Sequence, residues 1–531
     1  MSFYKLKWSF FISNKFLNIL SYFFFGLIGT ILIKGNVTPL LLDGRGFAGR
    51  NIFIKSFLFL TYFAAFILLL YLINWLVNKI KSIRKPSSID NNTDKIIKNP
   101  SNLFYFSLIT FSLGVFVIFL ITNIITRIDT ANWTLSGHNI IPIMNPIGND
   151  FRVGLYWPAE NLLKSGFSAI GPDGTYPSIY PPLVSILSLF YLFFDIQTAF
   201  VINTIFLFIF NFLIIVIASL MIYEFLFKKV FQDKSTRIVS SILLFILMAF
   251  YNFSGYSFLF SIERGNVDAI AIFFLMLSMW TLVKQPKNIW LQVIFLSIAT
   301  HYKIYPAALF LILLYCHGKK LILPALIVNL AFLFILGPKI AFSFIASLTA
   351  GGSGAGVGNQ WTWIGNHAAY SFAVGLTRIY PALTDFLNSI FLACMLIPFS
   401  VWIQGTIRLL REKYSAINAL LLLMISIPLM DLLPTISNDY RLIIESVAFI
   451  LFIGLILTQI FMNPKKEKVL ELILVLIIMF FIARPYVGTP EVLLVSPTYF
   501  IDNKYLWIFA LECLMVFNIS QHLKQNPNLN S

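Results

Sequence analysis

Apolar runs of 18 residues or more recur from one end of this 531-residue chain to the other. As a helix rising about 1.5 Å per residue, each is long enough to cross about 30 Å of hydrocarbon. Inside such a layer the backbone must satisfy its own polar groups, which leaves helices or a closed barrel as the spanning structures. A barrel would alternate apolar and polar residues in segments of about 10, and these runs do not alternate. The chain therefore reads as an all-α polytopic membrane protein. Its balance agrees: 59% of residues are apolar and 11% charged, with a mean hydropathy of +0.85, against about 45–50% and about 25% in soluble domains. A soluble enzyme, a disordered tail and a nucleic-acid-binding domain are excluded. The net charge of +16 fits basic loops held against anionic lipid rather than a nucleic-acid partner.

About 12 spans are expected, near 16–33, 56–77, 103–126, 198–223, 238–260, 267–283, 321–337, 385–403, 415–433, 442–462, 468–483 and 504–519. The apolar stretches 181–194, 289–300 and 304–316 are short for a crossing and read as half-depth or re-entrant helices. The first run, Phe16–Ile33, follows Lys5, Lys7 and Lys15 and lacks a small-residue cleavage site, so it reads as a retained signal anchor. With residues 1–15 in the cytoplasm, the segments assigned inside hold 24 of the 38 Lys and Arg. That bias sets both termini in the cytoplasm. Lys-, Asn-, Ile- and Phe-rich usage hints at an AT-rich bacterium, hence a bacterial plasma membrane. Cys316, Cys394 and Cys513 lie far apart and show neither disulfide nor metal spacing.

The threading gathers ionisable residues on the outer face. Asp150 opens an amphipathic, aromatic-bearing stretch within a long loop, 127–180. It reads either as an N-cap of an interfacial helix or as a general base. Glu263-Arg264-Gly265-Asn266-Val267-Asp268 sits at the mouth of a span. There Arg264 either pairs locally with Glu263 or Asp268, or holds a phosphate. His301-Tyr302-Lys303-Ile304-Tyr305-Pro306 turns between two short apolar helices. Lys303 either snorkels outward or meets an anion, and His301 is either a structural group or a ligand-binding one. Asp439 and Arg441 either pair with each other or serve a substrate, with Asn366 and His367 in a second long loop, 338–384, that carries the Gly-rich run Gly351–Gly358. No nucleotide-binding loop, zinc-type helix or serine elbow is present, so an activated donor would have to arrive within the membrane.

Three stretches resemble the GT-C superfamily of integral-membrane glycosyltransferases, and within it glycosyltransferase family 87, the polyprenol-phosphate-mannose-dependent group. They are the Asp-Phe…Tyr-Pro-Pro-Leu run from Asp150 to Leu183, Arg264-Gly265-Asn266-Val267-Asp268, and the turn around His301-Tyr302-Lys303-Ile304-Tyr305-Pro306, with an echo at Asp439-Tyr440-Arg441. The resemblance implies a GT-C-like bundle in three parts. Residues 1–102 would add two N-terminal spans and a basic loop, 103–337 would be the catalytic module, and 338–531 the C-terminal spans. It further implies inverting transfer of a hexose, mannose by this likeness, from a polyprenyl-phosphate donor to a glycolipid or glycan acceptor outside the cytoplasm. Asp150 would take the place of the catalytic base. Lys303, Arg264 and His301 would hold the donor phosphate, and Asn266, Asp268, Tyr305, His367, Asp439 and Arg441 would line the substrate. No cofactor or metal is required, although Asp129 and Asp150 could recruit one. The alternatives are a flippase or transporter for a lipid-linked glycan, which should show a two-fold repeat and mid-span polar residues, and a polysaccharide polymerase or ligase.

Overall fold

The computed structural model describes residues 148–164, 180–230, 234–351, 366–412, 415–434, 437, 439–462, 466–483 and 503–525. The expected spans 16–33, 56–77 and 103–126, Asp129, the segment 78–102 and most of the Gly-rich run lie outside the described residues. The described residues are helical, with no strand among them. They divide into two compact units. Residues 234–254 belong to one, and all other described residues belong to the other.

In the larger unit, α1 starts at Asn149–Phe151, widens through a π-turn at Arg152–Tyr156 and continues as Trp157–Lys164. Helix α2, Pro182–Ser188, runs on into a 3₁₀ turn, Leu189–Phe193. Asp195 then caps α3, Ile196–Ile222, accepting from the amides of Gln197 and Thr198. The Thr198 hydroxyl and these amides hold the Asp195 carboxyl below its usual range. The smaller unit contributes α4, Lys234–Ser254. Gly255 is extended (φ −69°, ψ 142°), and α5, Tyr256–Arg264, follows. The expected continuous span 238–260 is thus two helices, because one extended residue interrupts the i→i+4 ladder.

Next come α6, Asp268–Lys284, α7, Ile289–Tyr302, α8, Phe310–His317, and α9, Ile322–Leu333. Gly318, at φ +55°, ends α8. The stretch expected as a second outer loop, 338–384, contains helices α10, Pro338–Gly351, and α11, Ala369–Ile379. Ile340, Ala341 and Phe344 give α10 one buried stripe at helical spacing, which the neighbouring glycines obscure in the sequence. The remaining helices are α12, Leu387–Arg411, α13, Ala416–Leu432, α14, Glu445–Met462, α15, Lys466–Ala483, and α16, Tyr505–Gln525.

Among the described residues of this unit, four helical stretches are long and apolar enough to cross a membrane: Ile196–Phe227, Tyr305–Leu333, Pro381–Arg411 and Arg441–Ile460. The last is 83% buried along its apolar window and Pro381–Arg411 only 6%. Helix α14 is therefore central, and α12 presents its apolar surface outward. Helix α6 packs between α3 and α7, while α13 is flanked by α12, α14 and α16.

Candidate functional site

Local backbone chemistry builds the first part of the site. Helix α5 ends at Arg264, and Gly265 turns left-handed at φ +67°. The Gly265 amide donates to the Ile262 carbonyl at 3.0 Å and the Asn266 amide to that of Ser261 at 2.9 Å. This paired closure is a Schellman motif, which favours glycine at that position. A Cβ on Gly265 would lie 2.6 Å from the Phe151 Cβ and 2.9 Å from the Phe200 ring. The bare glycine thus lets α1 dock on the turn. Docking is fixed by the Gly148 amide, which donates to the Glu263 carbonyl at 2.7 Å, and by the buried Phe151 ring, 5.1 Å edge-on from Tyr191. The Tyr191 hydroxyl donates to Asn203 Oδ1 at 2.8 Å, and Asn203 Nδ2 donates to the Gly265 carbonyl at 3.3 Å.

This docking sets Asp150 over the turn. Arg264 Nη2 donates to Asp150 Oδ1, and Asn266 Nδ2 donates to Asp150 Oδ2 at 2.8 Å. Asn266 Oδ1 in turn accepts from the Asp268 amide at 3.1 Å, opening α6. Lys303, extended at the end of α7, brings its Nζ to 3.2 Å from Asp268 Oδ2 and over the Tyr180 ring at 5.1 Å. Five of the residues singled out in the sequence, Asp150, Arg264, Asn266, Asp268 and Lys303, therefore converge on one turn. Asp150 and Arg264 each keep 11% side-chain exposure and Lys303 keeps 12%, while Asp268 is sealed. Asp150 and Asp268 each face one cation. The partner of Arg264 is Asp150, not the adjacent Glu263 or Asp268. Lys303 is held by Asp268 instead of reaching out to solvent.

A second polar assembly joins Asn366, His367, Ser437, Asp439 and Lys504. Asn366 Oδ1 accepts from the Ser437 amide at 2.9 Å, and the His367 amide donates to the Ser437 carbonyl at 2.9 Å. Ser437 Oγ and His367 Nε2 are 2.9 Å apart, and His367 Nδ1 lies 3.2 Å from Asp439 Oδ1. Lys504 Nζ is 3.5 Å from Asp439 Oδ2 and 4.6 Å over the Tyr256 ring. The Ser–His–Asp order resembles a nucleophile relay. Every member is buried, however, with Ser437, His367 and Asp439 at 0% exposure, so no substrate reaches Ser437 in this conformation. The assembly acts as a brace. Helix α5 packs against the 3₁₀ turn Asp439–Ile443, which links the brace to Arg264.

Asp439 and Arg441 do not pair. Asp439 is committed to His367 and Lys504, and the Arg441 guanidinium lies 5.2 Å over the Tyr305 ring. Arg441 Nε and Nη1 are buried without a hydrogen-bond partner among the described residues. His301 is also buried, with its ring edge-on to Phe332 of α9 at 5.5 Å, and it makes no ion pair with the turn.

The sequence reading passed over Lys504 and four buried carboxylates, Asp431, Glu445, Glu471 and Glu512. Their signal was present, because each lies inside or beside an apolar run, where ionisable residues are costly and usually functional. Among the described residues no group of three His, Cys, Asp or Glu side chains is arranged to ligate a metal. The scan against protein-family models finds no match, and the search of curated proteins finds no significant relative.

Proposed function

We propose that this chain is a multi-pass membrane glycosyltransferase of the GT-C type. It would cross the membrane about 12 times with both termini in the cytoplasm, and move a hexose from a polyprenyl-phosphate carrier to an extracytoplasmic glycolipid or glycan. The observation that carries this reading is the single turn where Asp150 is held by Arg264 and Asn266 while the neighbouring Asp268 holds Lys303. A base and two cations within one turn match what inverting transfer from a phosphate carrier needs.

In this mechanism the donor phosphate competes with Asp150 for Arg264 and with Asp268 for Lys303. Guanidinium binds phosphate bidentately, and charge-assisted bonds of this kind are the strong ones. Once Arg264 turns to the phosphate, Asp150 keeps only Asn266 and its Oδ1 is open to the acceptor hydroxyl. Asp150 then takes the acceptor hydroxyl proton as that oxygen bonds to the anomeric carbon. The anomeric C–O bond to the carrier breaks, and the polyprenyl phosphate leaves with the electron pair. Arg264 and Lys303 stabilise the negative charge that grows on the leaving oxygens, and preorganised stabilisation of this kind is usually the largest catalytic term. Arg441, with donors to spare and stacked on Tyr305, would add to the phosphate site. Because His367 and Asp439 are fully enclosed, they serve to hold the segment carrying Arg441 rather than to touch the sugar.

The test is purified protein in lipid vesicles supplied with mannosyl, glucosyl and arabinosyl polyprenyl phosphates. Transfer from one of them to a glycolipid acceptor, with release of polyprenyl phosphate, is the expected result. Buried Glu512, halfway along α16, favours a second reading, an ion-coupled transporter of a lipid-linked glycan. Movement of the intact carrier across the bilayer without cleavage would favour that reading instead.

A further inference from the structure

A half-open cavity of about 440 Å³ lies between α12 and α16, lined by Val401, Gln404, Arg408, Phe517, Ser520 and Gln521 among others. Its size falls in the usual range for small-molecule sites, about 300–1,000 Å³. The helices meet closely at its edge because Gly405 is bare; a Cβ there would sit 3.0 Å from Val516 and Ile425. Arg408 Nη1 donates to Ser520 Oγ, whose own hydroxyl is spent on the Val516 carbonyl at 2.7 Å. None of the ion pairs among the described residues uses Arg408. A guanidinium carries five N–H donors and no acceptor, so this one keeps capacity for an anion. Beside it Phe517 is 59% exposed, and few residues along the apolar stretch of α12 are fully buried. Arg408 and Arg411 both lie in the last turn of α12, at the end that the positive-inside bias sets in the cytoplasm.

We propose that this cavity binds an anionic phospholipid of the cytoplasmic leaflet. Arg408 takes the phosphodiester, and Gln404 and Gln521 take headgroup or glycerol oxygens. Val401 and Phe517 receive the first carbons of an acyl chain. Charge and apolar surface together define the ligand: a soluble anion would leave Phe517 and Val401 uncovered, and a zwitterionic lipid would leave Arg408 without a net negative partner. The site is separate from the turn at Asp150 and stands whether or not the chain transfers sugar.

The test uses the full-length protein in detergent, titrated with phosphatidylglycerol or phosphatidylcholine of matched chains and read by native mass spectrometry. Wild type should retain phosphatidylglycerol about fivefold more tightly, the scale of one basic residue at a lipid surface. Arg408→Gln should erase that preference, and Arg378→Gln, an exposed arginine on α11, should leave it intact. Cys513 also lines the cavity, so Cys513→Trp fills it without touching the charge and should weaken both lipids, which keeps the proposal testable if Arg408→Gln does not fold. Equal retention of the two lipids by wild type overturns the proposal, and so does an unaltered preference in Arg408→Gln or unchanged binding in Cys513→Trp. Displacement of the lipid by an equal concentration of soluble glycerophosphoglycerol would show an anion site without a lipid component and would also overturn it.

Discussion

The turn at Arg264–Asp268 and the brace around His367 both set carboxylates against cations, yet they differ in access. At the turn, Asp150, Arg264 and Lys303 each keep about a tenth of their side-chain surface. In the brace, His367, Asp439 and Lys504 keep 1% or less. A pair that touches solvent can exchange one partner for a ligand. A sealed pair cannot, because removing one charge strands the other in a medium that does not solvate it. The brace should therefore report on stability and the turn on chemistry.

The largest effect should come from breaking the brace. Asp439→Ala removes the buried carboxylate shared by His367 and Lys504 and should cost about 3–5 kcal/mol, read as a fall in the thermal unfolding midpoint in detergent. An unchanged midpoint would put the brace on the same footing as the turn. Gly265→Ala should come next. With φ at +67° and a Cβ 2.6 Å from that of Phe151, it should cost about 1–3 kcal/mol and slow transfer by displacing Asp150 from its position over the turn. A fully active, fully stable Gly265→Ala protein would show that the tight turn does not matter to the site. Lys303→Ala takes the cation from Asp268, which is sealed at 0% exposure, so it should lower the midpoint, though less than Asp439→Ala, and raise the donor concentration for half-maximal transfer about tenfold, equivalent to about 1.4 kcal/mol. Unchanged donor dependence would remove Lys303 from the phosphate site. The smallest effect is expected at the exposed Glu160–Lys164 pair, with 39% and 69% of the side chains open. Lys164→Ala should shift stability by less than about 0.5 kcal/mol, and a larger change would mean that exposure is a poor guide in this molecule.

How much of this was legible in the sequence follows from the range of each interaction. Helical class is written in local apolar runs, and Asp150, Arg264, Asn266, Asp268 and Lys303 stood out as charged or amide groups in apolar surroundings. Pairing was harder to read. Arg264 has two acids within four residues, but the left-handed Gly265 turns the chain so that its guanidinium meets Asp150, 114 positions away. Asp439 and Arg441 look like a pair by spacing, yet the 3₁₀ turn Asp439–Ile443 sends one toward Lys504 and the other over Tyr305. Lys504 resembles an ordinary anchor at a span end until His367 and Asp439 are seen beside it. The Gly351–Gly358 run made its flanks read as loop, although 338–351 and 369–379 carry helical apolar stripes.

The central claim, that Asp150 is a base which a donor phosphate releases from Arg264, is tested most directly by single-turnover sugar transfer with Asp150→Asn in lipid vesicles. The amide keeps the shape of the carboxylate and its contact with Asn266 but cannot take a proton. The account predicts transfer at least about 100-fold slower, with donor binding retained or strengthened because Arg264 no longer has a competing carboxylate. Transfer by Asp150→Asn at close to the wild-type rate would contradict it.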